Sequence, residues 1–410
     1  MKRNNFYCPL PFNSISSNTT GYYALCCEAK HYGSNVRKRV IRDKGYENLF
    51  DPIHCTEATL SEFKNSDYMK HIRDAFNSDN PLESKEVQVA CYNCIEKEKL
   101  GLKSKRQRDL DKFDDESRFF VKNFGADFKF LELKLIGNIC NLECVMCSEY
   151  SSSKIAERKG VDKKLDIFGK LAYPKYPELS DEWWDDFKNI APEYKGFKFS
   201  GGEPFMSPVY KKAVKILEEI GHTDIRLQFG SNGSASKKTI EKLCQTFAHI
   251  SLNLSVESWG ERNNIIRLGS DWDFMESRIY QYCKLAQKYE NLKVTLSPCI
   301  NILNIGYLHE FEDWHKAFSV SGTITLSFDN KLLNPPGLNI SNIPNKVREK
   351  YWNDNIDFLT YNSEFEERNK NLIDNLRPAL IDPDFKRSIL WLNLNIPDWE
   401  KWYPEYVEYK

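Results

Sequence analysis

The chain has 410 residues, 41% of them hydrophobic and 29% charged, with a formal net charge of -1. That balance describes a globular protein with enough chain for two or three domains, and it builds no overall field that points to nucleic acid. No run approaches 18 apolar residues and residues 1–12 are basic without an apolar core, so neither a membrane span nor a secretion signal is expected.

In chain order, residues 11–17 mix apolar and polar positions as a strand does, Asn18-Thr19-Thr20-Gly21 is a turn signal, and residues 22–25 return as a second strand. Cys8 opens this predicted hairpin and Cys26-Cys27 closes it. Residues 47–75 turn helical, with Phe63, Met69, Ile72 and Phe76 at helix-like spacing. Cys91-Tyr92-Asn93-Cys94 follows, and then the charged residues 96–115, predicted as an exposed helix running into a linker. Twelve cysteines is a high count for a reducing compartment unless they bind metal. Several fall in C-x2-C or C-x3-C pairs, which favours metal binding in the cytoplasm over disulfides. Cys8, Cys26, Cys91 and Cys94 make a closed set of four thiolates. Cys27 is the alternate for Cys26, since adjacent strand residues face opposite sides, and Cys55 is a more distant option. Four soft ligands suit a structural zinc and an iron–sulfur cluster alike.

Residues 128–136, FKFLELKLI, read as a strand that ends at Gly137-Asn138. Cys140, Cys144 and Cys147 follow as C-x3-C-x2-C. At this cysteine content about 0.01 such triplets are expected by chance, and zinc sites favour paired C-x2-C units. Three thiolates from one short loop can hold three irons of a cubane and leave the fourth iron open to a ligand. Strands predicted at 196–200, 225–230, 251–256, 292–297 and 323–328 then alternate with helices. The clearest helix is 208–220, where Val209, Ala213, Val214, Leu217 and Ile220 share a face. Six strands separated by helices imply parallel pairing and right-handed crossovers, with functional residues in the loops after the strands.

Three polar loops follow strands directly: the cysteine triplet, Ser200-Gly201-Gly202-Glu203-Pro204, and Ser231-Asn232-Gly233. Adjacent glycines let a ligand approach the backbone, and strand-end carbonyls with the Glu203 carboxylate can receive an ammonium. Asn232 and Ser255 also read as satisfied strand-end polar groups. Cys244, Cys283 and Cys299 have no partners at metal-ligand spacing and read as buried thiols. The tail from 344 to 410, with Trp391, Trp399 and Trp402, reads as helices packing over the barrel.

These motifs resemble the radical S-adenosylmethionine (SAM) superfamily, with C-x3-C-x2-C after the first barrel strand, GGEP after the second, and Ser255-Val256-Glu257 at the fourth strand's end. The N-terminal CPLPFNSISSNTTGYYALCC followed by CYNC is similar to the twitch form of the SPASM auxiliary-cluster domain, placed ahead of the barrel. The resemblance implies an α/β fold: a partial (β/α)6 radical SAM barrel over residues 125–332, a small α+β twitch-like domain over 1–115 and a helical extension over 340–410. It implies that Cys140, Cys144 and Cys147 ligate a SAM-binding 4Fe–4S cluster whose open iron takes the amino and carboxylate groups of SAM's methionine. Gly201, Gly202 and Glu203 would hold that ammonium, and Ser255 and Glu257 match the position that contacts the ribose. Arg267, in NNIIRLGSDWD, would pair with the SAM carboxylate, and Asn232 takes the place of a TNG turn. Met146 stands where an aromatic usually packs by the adenine, and its polarizable thioether can fill the same space. Cys8, Cys26, Cys91 and Cys94 would hold a second, auxiliary 4Fe–4S cluster. The implied activity is reductive cleavage of SAM to a 5′-deoxyadenosyl radical that takes hydrogen from a substrate carbon. The substrate class implied is a peptide or protein, with a small metabolite or nucleotide as alternative, and the electron comes from an external donor of flavodoxin or ferredoxin type. A chain that did not bind SAM would be a non-catalytic iron–sulfur carrier or a zinc-stabilised binding module.

Overall fold

The computed structural model describes residues 6–29, 52–99, 101, 103–114, 129–135, 137–166, 168–318, 324–326, 336–359 and 383–410. They form an α/β protein with mostly parallel strand pairing. Contacts divide the chain into two compact units. No helix among the described residues is long and apolar enough to cross a membrane.

The first unit comprises Met1–Cys140, Glu149–Gly230 and Gln245–Ile250. Its strands are β1 (Ser14–Ser17), β2 (Tyr23–Ala24), β3 (Phe130–Leu133), β4 (Gly196–Phe199) and β5 (Arg226–Ser231), side by side in the order β2-β1-β3-β4-β5. β1 and β2 are the antiparallel hairpin, and β1, β3, β4 and β5 run parallel. Register places Ile15, Leu131, Phe197 and Leu227 in one row across four strands, every one buried. The next row is Ser16, Glu132, Lys198 and Gln228. The two-residue period of a strand turns these rows to opposite faces, one apolar and one polar.

The hairpin turn is closed by Asn18, whose Oδ1 accepts from the N–H groups of Thr20 (3.0 Å) and Tyr22 (2.9 Å). Residues 11–13, expected as the start of the first strand, belong instead to the helical turn Leu10–Asn13. Pro9 and Pro11 hold φ near the helical value and lack the N–H a ladder needs, which suits a first helical turn and not a paired strand. Of the stretch expected to be helical, residues 47–51 lie outside the described residues. Residues 52–59 are turn and loop rather than helix, and the rest forms helices Leu60–Lys64 and Asp67–Asn77, where Phe63, Met69, Ile72 and Phe76 are all fully buried. Thr59 and Glu62 close a reciprocal capping box on the first of them.

The charged stretch after Cys94 needs a correction. It forms helices Tyr92–Lys99 and Lys105–Asp114, and residue 115 lies outside the described residues. Arg106 and Asp109 are only 5% and 4% exposed, so this is not a solvated face. Partners make the burial tolerable. Arg106 donates to both oxygens of Glu98 and from Nη1 to Tyr7 O (2.9 Å), and Lys105 pairs with Asp109 at 2.8 Å.

The second unit comprises Asn141–Ser148, Ser231–Cys244 and Ser251–Lys410. β6 (His249–Leu254), β7 (Leu292–Leu296) and β8 (Ile324–Leu326) are neighbours in that order, β7 and β8 parallel with Val294 opposite Ile324. Of the strand expected at 323–328, residues 323, 327 and 328 lie outside the described residues. Helices Gly260–Ile266, Trp272–Lys288 and Leu308–Phe318 connect and follow these strands. Counted along the chain, β3 to β8 separated by helices give the connectivity of a partial (β/α)6 barrel. Helices Asn345–Leu359, Lys386–Asn395 and Trp399–Trp402 and the 3-10 turns Pro404–Tyr409 bury Trp399, Tyr403 and Tyr406 against Ile302, Ile305 and Tyr351. The Tyr406 hydroxyl donates to Ile302 O at 2.8 Å.

Candidate functional site

In the first unit, the chain leaves β3 and turns at Gly137, whose φ is +72° and where an added Cβ would lie 2.0 Å from Lys175 O. Only glycine fits there. Asn138, 1% exposed, donates from Nδ2 to Glu149 O (2.7 Å) and Tyr173 O (3.3 Å), bracing the approach to Cys140. The Cys140 N–H donates to Ser153 Oγ and that hydroxyl returns to Cys140 O, both at 3.3 Å.

The GGEP loop lies against the same approach. Gly202 N–H donates to Gly137 O (3.0 Å) and Glu203 N–H to Ile139 O (2.6 Å). A Cβ at Gly202 would stand 2.2 Å from Ile139 O, so the second glycine is required by backbone contact. Glu203 is fully buried, and its Oε1 accepts from Phe205 N–H at 3.2 Å, capping the turn Pro204–Met206.

In the second unit, Cys147 N–H donates to Cys144 O (2.9 Å), and the loop is held by Glu143 N–H to Leu268 O (2.8 Å) and Val145 N–H to Ile266 O (2.9 Å). The buried Cys144 thiol is brought down to about 7, first by its hydrogen bond with Cys147. Burial opposes that shift, the Arg267 charge adds to it and the Glu257 charge works against it. Glu257 and Arg267 are themselves a buried pair at 3.0 Å. Cys299 N–H donates to Glu257 Oε2 at 2.6 Å, while Glu257 N–H donates to Asn263 Oδ1 at 3.0 Å. Asn304 Nδ2 donates to Glu257 O (3.1 Å) and Cys299 O (3.0 Å). Ser255 N–H donates to Ser231 O at 2.8 Å, placing Ser255 at the strand-end level of the GSNG turn.

Asn232 is tied to the cysteine loop, its Nδ2 donating to Asn141 Oδ1 at 2.8 Å. Its own Oδ1 accepts from Ser234 N–H at 3.1 Å. Met146 packs on the apolar core of this unit. Cys144, Asn232, Glu257 and Arg267 are thus linked through one set of contacts. Sequence reasoning missed Asn141, Asn263 and Asn304, which carry that linkage. Their available signal was an amide beside each strand-end motif: Asn141 after Cys140, Asn263 in the NNIIR segment and Asn304 in Asn301-x-x-Asn304.

A separate cysteine set lies within the first unit. Cys8, Cys26, Cys91 and Cys94 line one cavity, with Lys105 and Arg106 in its wall, and every sulfur-bearing residue is at most 8% exposed. Cys8 precedes the first helical turn, Cys26 follows β2, and Cys91 and Cys94 bracket the start of helix Tyr92–Lys99. Burial pushes the Cys8 thiol up to about 12 and holds Cys26 and Cys91 well above the ordinary thiol value, each further raised by its neighbours. Such thiols stay protonated until a positive centre compensates them. Cys27 is raised by burial and then by Glu132, and it answers to Lys105, Lys198 and Lys134. It therefore stands toward the polar row of the sheet, and Cys26 is the member of the pair in the cavity. Cys55 is buried elsewhere. Among the described residues, no group of three or more His, Cys, Asp or Glu side chains is arranged to hold a single metal ion.

Residues 135–313 match the family model described as Radical SAM superfamily. Two similar solved structures are Streptococcus suis SuiB bound to precursor peptide SuiA and the same protein bound to S-adenosylmethionine. The first is 12% identical with a TM-score of 0.34 and covers 55% of this chain and 44% of that one. The second is 13% identical with a TM-score of 0.36 and covers 55% and 46%. This chain thus spans less than half the length of either. No curated protein matches it. With C-x3-C-x2-C after β3 and GGEP after β4 inside the matched segment, the chain carries a domain of the Radical SAM superfamily.

Proposed function

We propose that the chain is a radical SAM enzyme. Cys140, Cys144 and Cys147 hold the 4Fe–4S cluster that binds SAM, and Cys8, Cys26, Cys91 and Cys94 hold a second one in a twitch-like N-terminal site. The bound cluster and SAM supply the chemistry, reductive cleavage to a 5′-deoxyadenosyl radical that takes hydrogen from a substrate carbon. The observation that supports this reading is the backbone bonding of Gly202 and Glu203 to Gly137 and Ile139, by which the GGEP loop lies against the residues leading into Cys140.

The residues of the chain bind, orient and exclude water. Gly201, Gly202 and Glu203 receive the ammonium of SAM, with Glu203 kept in place by its cap on Phe205 N–H. Arg267, held by Glu257, presents positive charge to the cysteine loop and to a carboxylate bound there. Ser255 and Glu257 stand at the end of β6 for the ribose, Asn232 fixes the loop through Asn141, and Met146 supplies apolar surface for the adenine. Glu203 in the first unit and Glu257 and Arg267 in the second are each buried, which suits a reaction that requires water to be excluded.

A peptide or protein is the proposed substrate, because sequences resembling the twitch and SPASM pattern often act on them. An external flavodoxin- or ferredoxin-type donor would supply the electron. Anaerobic reconstitution is expected to give about eight irons per chain, and dithionite with SAM is expected to release 5′-deoxyadenosine. A chain with both clusters loaded that makes none would sink the enzymatic reading. Peptide retained on the purified protein separates the proposed substrate from a small metabolite.

A further inference from the structure

We propose that Lys105 sets the reduction potential of the cluster held by Cys8, Cys26, Cys91 and Cys94. The inference rests on the reading of that site as a second iron–sulfur cluster. Four sulfur donors suit such a group, and Glu28 is the carboxylate residue that also lines the cavity. Adjacent in sequence, Lys105 and Arg106 both stand in the cavity wall, and each serves a different half of the cysteine set. Lys105 lies within Coulombic reach of Cys26, and Arg106 within reach of Cys8 and Cys91.

The two cations are not equivalent. Arg106 grips both oxygens of Glu98, donates to Tyr7 O at 2.9 Å, and lies 4.4 Å over the Phe6 ring. It is a strap that holds the strand of chain entering Cys8, and its charge is met by Glu98. Lys105 pairs with Asp109, one turn along the same helix at 2.8 Å, and lies within Coulombic reach of Glu132 in the polar row. Asp109 lies within reach of Cys8 while Lys105 lies on the side of Cys27 and Cys26, so the pair presents its positive end to that corner of the site.

Reduction adds one electron, taken from a mediator or dithionite, and breaks no bond. The cluster gains one negative charge in a site shielded from water, where a fixed cation favours the reduced form more strongly than in solvent. Removing Lys105 therefore lowers the potential, and removing Asp109 takes away the contact counter-charge of that cation and raises it. A purely structural role would move both variants in the same direction.

The test uses the full chain with Cys140, Cys144 and Cys147 all replaced by alanine, so that only the N-terminal cluster is observed. Iron content is measured first, and the midpoint is then read by electron paramagnetic resonance during a potentiometric titration. Lys105→Met is expected to shift the reduction equilibrium about tenfold toward the oxidised form, ~59 mV for one electron. Asp109→Asn is expected to shift it the other way, and Lys105→Arg to restore the parent value. Iron bound at parental levels with an unmoved midpoint in Lys105→Met, or equal signs for the two variants, overturns the inference alone. Zinc or no metal in the parent chain overturns the reading of the site and the inference with it.

Discussion

At the scale of single residues, the site depends on close backbone contact. Gly202 has no room for a methyl group, because Ile139 O and the Asn138 carbonyl would both lie under 3.0 Å from it. Gly202→Ala must push the GGEP loop away from the approach to Cys140. We expect about a hundredfold loss of 5′-deoxyadenosine formation, in line with the cost of misplacement by about 1 Å. Circular dichroism should be unchanged, and parental turnover with alanine in place would remove the loop from the site. A second residue-scale expectation concerns Glu132 in the polar row. Burial alone would raise its carboxyl, yet Lys198 at 2.5 Å, with Lys134 nearby, holds it down to about 2. A carboxyl held below its unfolded value contributes stability that is complete above that value, ~4.3, and is lost as pH falls toward 2. The shift corresponds to about 3 kcal/mol. Glu132→Gln should therefore lower the urea midpoint of the metal-free chain at pH 6 and have little effect near pH 2. A gap that stayed constant with pH would show that the Lys198 pair does not carry that stability.

At the scale of elements, the C-terminal segment is part of a core. Tyr403 and Tyr406 are fully buried, and the Tyr406 hydroxyl reaches Ile302 O at 2.8 Å and Tyr351 Oη at 3.1 Å. Tyr406→Phe keeps the packing and leaves a buried carbonyl without its donor. We expect a loss of about 1–2 kcal/mol in chemical denaturation with little change in SAM affinity. Loss of SAM binding with unchanged stability would instead place this segment at the ligand. Elements differ in how far their sequence announces them. The helix Asp67–Asn77 and its buried stripe follow the period of its apolar residues, as does Pro208–Glu219. The turn at Leu10–Asn13 does not, because an apolar-polar mixture suits a strand while Pro9 and Pro11 exclude one. Helix Lys105–Asp114 misleads in the opposite sense. Its charges look solvated until Glu98, Tyr7 O and the cysteine cavity are brought to it from other parts of the chain.

At the scale of the whole molecule, each of two compact units carries part of the cysteine chemistry. The first unit contains the complete set Cys8, Cys26, Cys91 and Cys94, and the loop from Cys140 to Cys147 passes from the first unit into the second. What the string of residues carried was the local pattern. Spacing along one loop marked Cys140, Cys144 and Cys147, and a repeating strand-helix period marked the barrel's connectivity, since both are short-range properties of neighbouring residues. The choice of Cys26 over Cys27, the placement of Lys105 and Arg106 in the cavity wall, and the amides of Asn141, Asn263 and Asn304 around the strand ends belonged to the folded chain. Each depends on which distant segments register opposite one another, and a pairing across a hundred residues is set by packing and strand alignment, which no local pattern encodes.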